Sequence, residues 1–308
     1  MIFGPDFPFR KEIRQLLKAG FECTDLGNSK FILGIEITVT NNSITLSQRA
    51  YINKFLDKFG MSNCKPVETS LEPNLNLHKG EPEDQIEKPT EYQFIMGSLM
   101  YASIATRPDI TYAVTALSQY SSCPTEDQLR AAKRTLRYLN GTKDWNLFYP
   151  KGNTRTLDGF SDSSYASDLD DRKSFSGYVF RLGKSAISWR SRKQKSVAVS
   201  TTEAEYMALS LAARQLVWIC NALHELQQQY RYFIHADNTS SIELCPNPLI
   251  YDRSKHIDVH YHYTREQLEA GTFEILYVHT EDNVVDIMTK GLPKPPHQKL
   301  SKLIRCGK

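Results

Sequence analysis

Four acidic residues in the second half of the chain stand where elements of secondary structure are predicted to begin or end. Asp162 lies on a predicted strand, and Glu203 opens a long predicted helix. Asp237 ends a further strand, and Asp286 lies in the last predicted helix of this region. Side chains at such positions can point towards one place, because the sheet holds them and the loops leave space. We therefore expect the four carboxylates to converge.

Converging carboxylates favour one kind of chemistry. Like charges at close range repel one another unless cations neutralise them. Carboxylate oxygens are hard ligands that suit Mg²⁺ or Mn²⁺, and two such ions about 4 Å apart can stabilise the attacking water and the leaving oxygen of a phosphodiester. The four acids together predict metal-dependent hydrolysis of nucleic acid, whereas each acid alone could be a solvated surface residue.

The elements that must position these acids follow from the hydrophobic pattern. TLDGFSDSSYA, SGYVFRLGKSAISWRSR and QKSVAVSTTE are predicted as three successive strands, since turn residues separate them. EAEYMALSLAARQLVWICNALHEL is an amphipathic helix that follows a Ser/Thr cluster able to cap it. A strand, two helices, the strand TFEILYVH and the closing helix DNVVDIMTKGL complete the region. This order predicts an α/β fold, in which helices flank a mixed sheet.

This second half resembles the ribonuclease H of copia-type long-terminal-repeat retrotransposons, a part of their Pol polyprotein. The resemblance is carried by GFSDSSYASD, STTEAEYMAL, HADNTSSIEL and VHTEDNVVDIMTKGL, and it covers about residues 155 to 292. It implies a ribonuclease H-like domain over residues 151–292. It also implies hydrolysis of the RNA strand in RNA–DNA hybrids with two Mg²⁺ or Mn²⁺ ions as cofactor.

The resemblance also assigns residues. The family's metal-binding, catalytic acids fall on Asp162, Glu203, Asp237 and Asp286, with Glu205 as the alternative to Glu203. We prefer the first acid of Thr-Glu-Ala-Glu because it is nearer the predicted strand-helix junction. His279 stands where related ribonucleases H have a loop histidine that assists product release, and the alternative is an ordinary histidine at a strand end.

The first half of the chain has a different pattern. FRKEIRQLLKAG and RAYINKFLDKFG are predicted helices, and FILGIEITVTNNSITLSQ is a predicted hairpin around Asn41-Asn42. Residues 69–90 are rich in proline and predict an extended connector, and residues 91–150 are largely helical. LRAAKRTLRYL carries an apolar stripe and a basic face, which is either solvated or in contact with phosphates. The basic residues are Arg130, Lys133, Arg134 and Arg137.

This half resembles the C-terminal part of the reverse transcriptase in the same elements. FILGIEI is similar to the hairpin that grips the primer end, so the resemblance implies nucleic-acid contacts at Leu33 and Gly34. Residues 1–68 would then be the end of the palm, 91–150 a helical thumb and connection, and 293–308 a basic tail. Further contacts are expected at Arg190, Arg192 and Lys193, for which an exposed turn is the alternative.

The polymerase chemistry itself is expected to be absent. The family places paired aspartates after an aromatic-x dipeptide, and no such motif occurs in these 308 residues. Met1-Ile2-Phe3-Gly4 is similar to the strand that follows this pair. The alternatives to an active ribonuclease are an inactive remnant that binds nucleic acid or Pol subunits, and a relic that is never translated.

Composition sets the remaining expectations. A net charge of +3 does not by itself identify a nucleic-acid-binding protein, and the six cysteines show no C-x-x-C spacing, so reduced thiols are expected. No apolar run approaches about eighteen residues. We therefore expect an intracellular protein, cytoplasmic or nuclear and within a virus-like particle in an intact element. Its expected partners are an RNA–DNA hybrid and other Pol or transposon proteins, with neither a membrane nor a small-molecule substrate.

Overall fold

Two five-stranded sheets organise the residues that the computed structural model describes, which are 8–24, 27, 29–152, 154–245, 255–304 and 306–307. The prediction for Met1-Ile2-Phe3-Gly4 lies outside these residues. The strands are β1 (Phe31–Ile32), β2 (Ile35–Val39), β3 (Ser43–Ser47), β4 (Asn146–Pro150), β5 (Thr156–Ser164), β6 (Phe175–Leu182), β7 (Ser185–Lys193), β8 (Arg231–Ala236), β9 (Glu274–Tyr277) and β10 (Cys306–Gly307).

The helices pack on and between these sheets. They are α1 (Pro8–Gly20), α2 (Arg49–Lys58), α3 (Thr90–Ala105), α4 (Thr111–Ser118), α5 (Glu126–Gly141), α6 (Thr201–Glu225), α7 (Thr239–Leu244), α8 (Lys255–Glu269) and α9 (Lys294–Leu303). Short 3-10 helices cover Pro82–Asp84, Pro108–Ile110, Thr280–Asp282 and Val284–Met288. In the part of the chain that the structure describes, no helix combines the length and apolarity needed to cross a membrane.

The first sheet has the order β1-β2-β3-β4-β10, and all its neighbours are antiparallel. The hairpin predicted around Asn41-Asn42 is confirmed, with Val39 opposite Ile44 at its end. β4 and β10 come from residues far along the chain, so this sheet joins the beginning of the described chain to its end. The domain boundary predicted between residues 150 and 151 stays a prediction; β4 ends at Pro150 and β5 begins at Thr156.

The second sheet has the order β7-β6-β5-β8-β9. β5, β6 and β7 form an antiparallel meander, whereas β8 and β9 run parallel to β5. Helix α6 covers one face through a core that includes Leu157, Phe180 and Leu209. The 3-10 helix Val284–Met288 and α9 cover the other face through a separate core. The predicted α/β class with a mixed, ribonuclease H-like sheet is confirmed.

Two local predictions differ from the structure. SGYVFRLGKSAISWRSR forms two strands rather than one, because Gly183 adopts a positive φ of 67° that only a glycine takes easily and so permits a tight turn. QKSVAVSTTE is not a strand, although its apolar residues alternate. Its last residues instead begin α6, where the Ser200 side chain accepts a hydrogen bond from the Glu203 backbone N–H.

The connector and the C-terminal segment also carry structure. Residues 69–90 hold the short helix Pro82–Asp84 but are otherwise largely irregular, and Thr69, Ser70 and Leu71 are buried. Residues 293–308, expected as a basic tail, contain α9 and β10. Leu300 and Ile304 are buried in the core beneath the 3-10 helix Val284–Met288. This segment is therefore part of the packed fold.

Candidate metal centre

Three carboxylates meet at one edge of the second sheet. Asp162 lies on β5, Asp237 directly follows β8, and Glu205 lies in the first turns of α6. One carboxylate oxygen from each residue lies within 4.8 Å of the others. β5 and β8 are parallel neighbours, so their carboxyl ends bring Asp162 and Asp237 to the same edge. The side chains that the sequence placed on two separate strands are thus brought together.

The third carboxylate comes from Glu205 and not from Glu203. Glu203 Oε2 accepts a hydrogen bond of 2.7 Å from the Val199 backbone N–H, and the Glu203 N–H donates to Ser200 Oγ at 3.1 Å. The Ser200 hydroxyl thus caps α6, and the Glu203 carboxylate reaches back to the residue before the cap, so both bonds satisfy backbone donors at the start of the helix. In the structure Glu205, the alternative, lies with Asp162 and Asp237, whereas the Glu203 carboxylate is bound to the backbone just before α6. Which acids bind metal stays a prediction.

Burial makes the charged forms of these acids unfavourable. Burial is the main cause of a pKa of about 7 for Asp162, which the Lys290 charge opposes and the charges of Asp286 and Asp237 favour. Burial likewise raises the pKa of Glu205 to about 9, together with the charges of Asp162 and Asp237, while a hydrogen bond from the Ser163 backbone opposes the rise. A cation beside these oxygens would relieve both effects, so the donor set fits a divalent metal ion.

The fourth expected acid, Asp286, approaches the cluster from the other face of the sheet. It lies in the 3-10 helix Val284–Met288, and burial raises its pKa, as does Asp237. The Lys290 ammonium lies 3.0 Å from Asp286 Oδ1 and 3.5 Å from Asp162 Oδ2 and opposes that rise. The Thr289 hydroxyl donates a hydrogen bond to Asp162. Asp286 thus contacts Asp162 both directly, through a side-chain hydrogen bond, and through Lys290.

A glycine allows this approach. Gly177 on β6 pairs directly with Asp162, and a Cβ atom there would lie 2.8 Å from Met288 Cβ and 2.8 Å from Thr289 Cγ2. Any larger residue would push the 3-10 helix away from the sheet. Asn283 holds the other end of that helix, because its side-chain amide donates to the Ser161 carbonyl at 3.2 Å. The position of Asp286 therefore depends on close backbone packing.

His279 stands apart from these contacts. It is exposed and precedes the 3-10 helix Thr280–Asp282, where its Nδ1 accepts a hydrogen bond from the Glu281 backbone N–H at 3.4 Å. This is the position of a cap at the start of a short helix. Its expected role in product release stays a prediction.

The predicted basic face of α5 is engaged by other parts of the chain. Lys133 binds Glu91 at 2.9 Å, and Arg130 pairs with Asp127 one turn earlier. Arg134 bonds to Glu72 and Thr69, and Arg137 Nε donates to the Lys65 carbonyl at 2.8 Å. Arg134 and Arg137 therefore fasten the helix to residues 65–72. Their contact with phosphates stays a prediction.

The other candidate nucleic-acid contacts lie at two places. Arg190 is exposed and Arg192 half-buried on β7, whereas Lys193 is held by Asp168 at 2.8 Å and Asp171 at 2.9 Å. Leu33 and Gly34 form the turn between β1 and β2, where both have positive φ. The Leu33 side chain is exposed, and its carbonyl accepts a hydrogen bond from the Tyr101 hydroxyl. No binding role follows from these positions alone.

Several residues of the centre were missed at the level of sequence. Thr289, Lys290 and Gly177 reach it through tertiary packing, for which the local sequence carries no clear signal. The choice between Glu203 and Glu205, however, could have been informed by a local sequence pattern. Ser-Thr-Thr-Glu, residues 200 to 203, is the S-x-x-E pattern of a capping box, and it assigns Glu203 to the helix start.

Comparison with known proteins connects these features to a family. Residues 1–73 match the family described as "Reverse transcriptase (RNA-dependent DNA polymerase)". The chain is 40% identical over 308 residues to the retrovirus-related Pol polyprotein from transposon RE2 of Arabidopsis thaliana, covering 99% of this chain and 21% of the relative. It is 32% identical to the putative transposon Ty5-1 protein YCL074W of Saccharomyces cerevisiae, covering 68% of each protein.

Solved structures give weaker likenesses. LC11-RNase H1 in complex with RNA/DNA hybrid matches 44% of this chain and 94% of its own, with 13% identity and a TM-score of 0.33. The foamy viral protease-reverse transcriptase dRH in complex with double-stranded DNA matches 82% of this chain and 38% of its own, with 16% identity and a TM-score of 0.44.

The sequence relatives extend over the whole chain. The chain spans about a fifth of the length of the transposon RE2 polyprotein, so it corresponds to one part of such a protein. That part includes both the region matched as reverse transcriptase and the region with the acidic cluster. The chain belongs to the retrovirus-related Pol polyproteins of copia-type transposons.

Proposed function

We propose that this chain is a metal-dependent ribonuclease that cleaves the RNA strand of RNA–DNA hybrids. The observation that carries the proposal is the cluster of Asp162, Glu205 and Asp237, whose carboxylate oxygens lie within 4.8 Å of one another. The choice of an RNA–DNA hybrid rests on membership of the Pol family and on the resemblance of this half to its ribonuclease H.

The three acids would hold Mg²⁺ or Mn²⁺. Asp286 contacts Asp162 and would add a fourth carboxylate to the site. When bound, two such ions would activate a water molecule and stabilise the leaving oxygen of the phosphodiester. The chain supplies the geometry. β5, β8 and α6 fix the carboxylates on rigid elements, so little reorganisation is needed when the substrate arrives.

The burial of the cluster has a chemical consequence. Asp162 is almost fully buried, and the pKa of Glu205 is raised to about 9. Without a cation, the acids would share protons at neutral pH, and metal binding would release them. A bound cation would therefore stabilise the deprotonated form of these acids. This is expected of a hydrolytic metal site and not of a solvated acidic turn.

The test is cleavage of an end-labelled RNA–DNA hybrid in Mg²⁺ by the wild type, Asp162→Asn, Asp237→Asn and the surface control Asp282→Asn. Asp282 pairs with Lys299, away from the cluster. We expect cleavage by the wild type and the control, and a loss of at least a hundredfold in the two cluster variants. Equal cleavage by all four proteins would indicate contamination. No cleavage by a folded wild type would favour an inactive binding remnant.

We propose in addition that these 308 residues do not synthesise DNA on their own. Their sequence contains no aromatic-x-Asp-Asp motif, and the adjacent pair Asp170-Asp171 lies between β5 and β6, where Asp171 binds Lys173 and Lys193. Primer extension with Mg²⁺ or Mn²⁺ tests this. Template-directed incorporation by the pure protein would refute it.

A further inference from the structure

Lys290 brings a positive charge into the candidate metal centre. Its ammonium Nζ lies 3.0 Å from Asp286 Oδ1 and 3.5 Å from Asp162 Oδ2. Asp162 is almost fully buried, while Lys290 is about one-third exposed. The ammonium therefore sits at the mouth of the centre, between the fourth acid and the acid at its middle.

The backbone fixes Lys290 in this place. Asp286 and Lys290 are four residues apart, and the Lys290 N–H donates to the Asp286 carbonyl at 3.1 Å. The intervening Thr289 donates its hydroxyl to Asp162 and its N–H to the same Asp286 carbonyl. The segment is held against the sheet through Gly177 and Asn283. These contacts fix the backbone of Lys290, and its ammonium is held by the two carboxylates.

Asp162 is shared between two groups of ligands. With Glu205 and Asp237 it forms the three-carboxylate cluster, and with Asp286 it forms the pair that Lys290 bridges. A divalent ion between Asp162 and Asp286 would compete with Lys290 for these two carboxylates. It would also be repelled by the ammonium, because like charges at such short range interact strongly. In the described part of the chain, Lys290 forms ion pairs with Asp162 and Asp286, so of the cluster of three it pairs with Asp162 alone.

We propose that Lys290 occupies the cation position between Asp162 and Asp286 in the protein free of nucleic acid. The free protein then binds one divalent ion, at Asp162, Glu205 and Asp237, and takes a second ion only by displacing the lysine. This inference rests on the proposed function insofar as the acids are taken as a metal site, but it does not require that hydrolysis occurs.

The experiment is a titration of the full chain with Mn²⁺ alone, followed by the electron paramagnetic resonance signal of the free ion. The proteins are the wild type, Lys290→Met, which removes the charge, and Lys290→Arg, which keeps it. Circular dichroism checks that each is folded. We expect one bound ion in the wild type and in Lys290→Arg. We expect two in Lys290→Met, with binding of the second ion strengthened on the order of tenfold or more.

Two ions of similar affinity in the wild type would overturn the proposal, and so would a single ion in folded Lys290→Met. If Lys290→Met does not fold, Lys290→Gln replaces it, and the wild-type count still decides. The outcome separates this inference from the proposed hydrolysis. The expected stoichiometries without any cleavage would leave the role of Lys290 standing and defeat the ribonuclease, whereas no Mn²⁺ bound by any variant would overturn both.

Discussion

The carboxylate of Glu203 accepts a hydrogen bond of 2.7 Å from the backbone N–H of Val199, four residues earlier. The bond satisfies a backbone donor beside the Ser200 cap of α6 and explains why an acid so near the carboxylate cluster does not join it. Glu205 follows two residues later, about 200° further around the helix. One acid therefore positions the helix, and the other enters the site.

Replacement of these two glutamates should separate their roles. Glu203→Gln keeps an acceptor for Val199 and should bind Mn²⁺ as the wild type does. Glu203→Ala keeps the Ser200 cap but loses the bond from Val199, and it should lower the free energy of unfolding by about 1 kcal/mol. Glu205→Gln should abolish Mn²⁺ binding. Urea denaturation and Mn²⁺ titration measure the two effects. Loss of Mn²⁺ binding in Glu203→Gln together with its retention in Glu205→Gln would reverse the assignment.

Removing one negative charge from the cluster should have opposite effects with and without metal. Asp237 raises the pKa of Asp162, Glu205 and Asp286, so Asp237→Asn relieves repulsion in the metal-free protein. We expect the metal-free variant to be more stable by about 1 kcal/mol, the equivalent of less than one pKa unit. The stabilisation that Mg²⁺ gives the wild type should disappear. Thermal unfolding in EDTA and in Mg²⁺ measures both, with Asp282→Asn as control. A variant that still gains stability from Mg²⁺ would contradict the site.

The sequence was sufficient for the parts of the fold that depend on local pattern. The hairpin around Asn41-Asn42 and the placement of Asp162 and Asp237 at one sheet edge follow from alternation and turn residues, together with the order of strands. The choice between Glu203 and Glu205 depends on which side of α6 faces the sheet. That direction is set by tertiary packing, although the capping pattern pointed to it.

The function of charged side chains was harder to predict for a similar reason. Four basic residues on α5 form one face in sequence, but the partners of three of them come from distant segments. Arg137 binds the carbonyl of Lys65, and Arg134 binds Glu72. A helical pattern shows where a side chain points and not what covers it. The same holds for Lys290, whose contact with Asp162 spans more than a hundred residues.

Breaking a buried ion pair should strongly destabilise the helical region. Arg107 and Asp109 are almost fully buried, with Nη2–Oδ2 and Nε–Oδ1 distances of 2.7 and 2.9 Å, and the Tyr138 hydroxyl also donates to Asp109. Arg107→Met leaves a buried carboxylate without its main partner and should cost about 3–5 kcal/mol. Arg130→Met, which breaks an exposed pair, should cost less than about 1 kcal/mol. Equal losses in urea denaturation would contradict the assignment.

Protonation of a buried histidine should destabilise the fold in mild acid. His297 of α9 lies edge to face on Tyr138, with 5.3 Å between ring centroids, and burial lowers its pKa, aided by Arg107 and opposed by Asp109. The unfolded chain therefore binds this proton more readily, at an ordinary pKa of about 6.5. The contribution is complete above that value and is lost as pH falls through the lower folded pKa.

The measurement for His297 is the free energy of unfolding in urea at intervals from pH 8 to pH 5. We expect the wild type to lose stability relative to His297→Phe below about pH 6.5, because the raised pKa values of Asp162 and Glu205 affect both proteins alike. His297→Phe keeps an aromatic ring on Tyr138 and should lack this relative loss, whatever its absolute stability. His279→Phe replaces an exposed histidine and should keep the wild-type slope. Parallel curves for the wild type and His297→Phe would show that another group is responsible.

The C-terminal helix should support the metal centre through packing alone. Leu300 is buried against Val284, Val285 and Met288, which belong to the 3-10 helix that carries Asp286. Leu300→Ala should cost about 2–5 kcal/mol. Loosened packing should also move the Asp286 segment away from Asp162 and so lower the rate of hybrid cleavage. The matched control is Leu303→Ala, since Leu303 lies on the same helix but is 37% exposed, and it should cost less than about 1 kcal/mol. Equal losses of unfolding free energy for the two variants in urea denaturation would show that the packing of Leu300 does not stabilise this side of the centre.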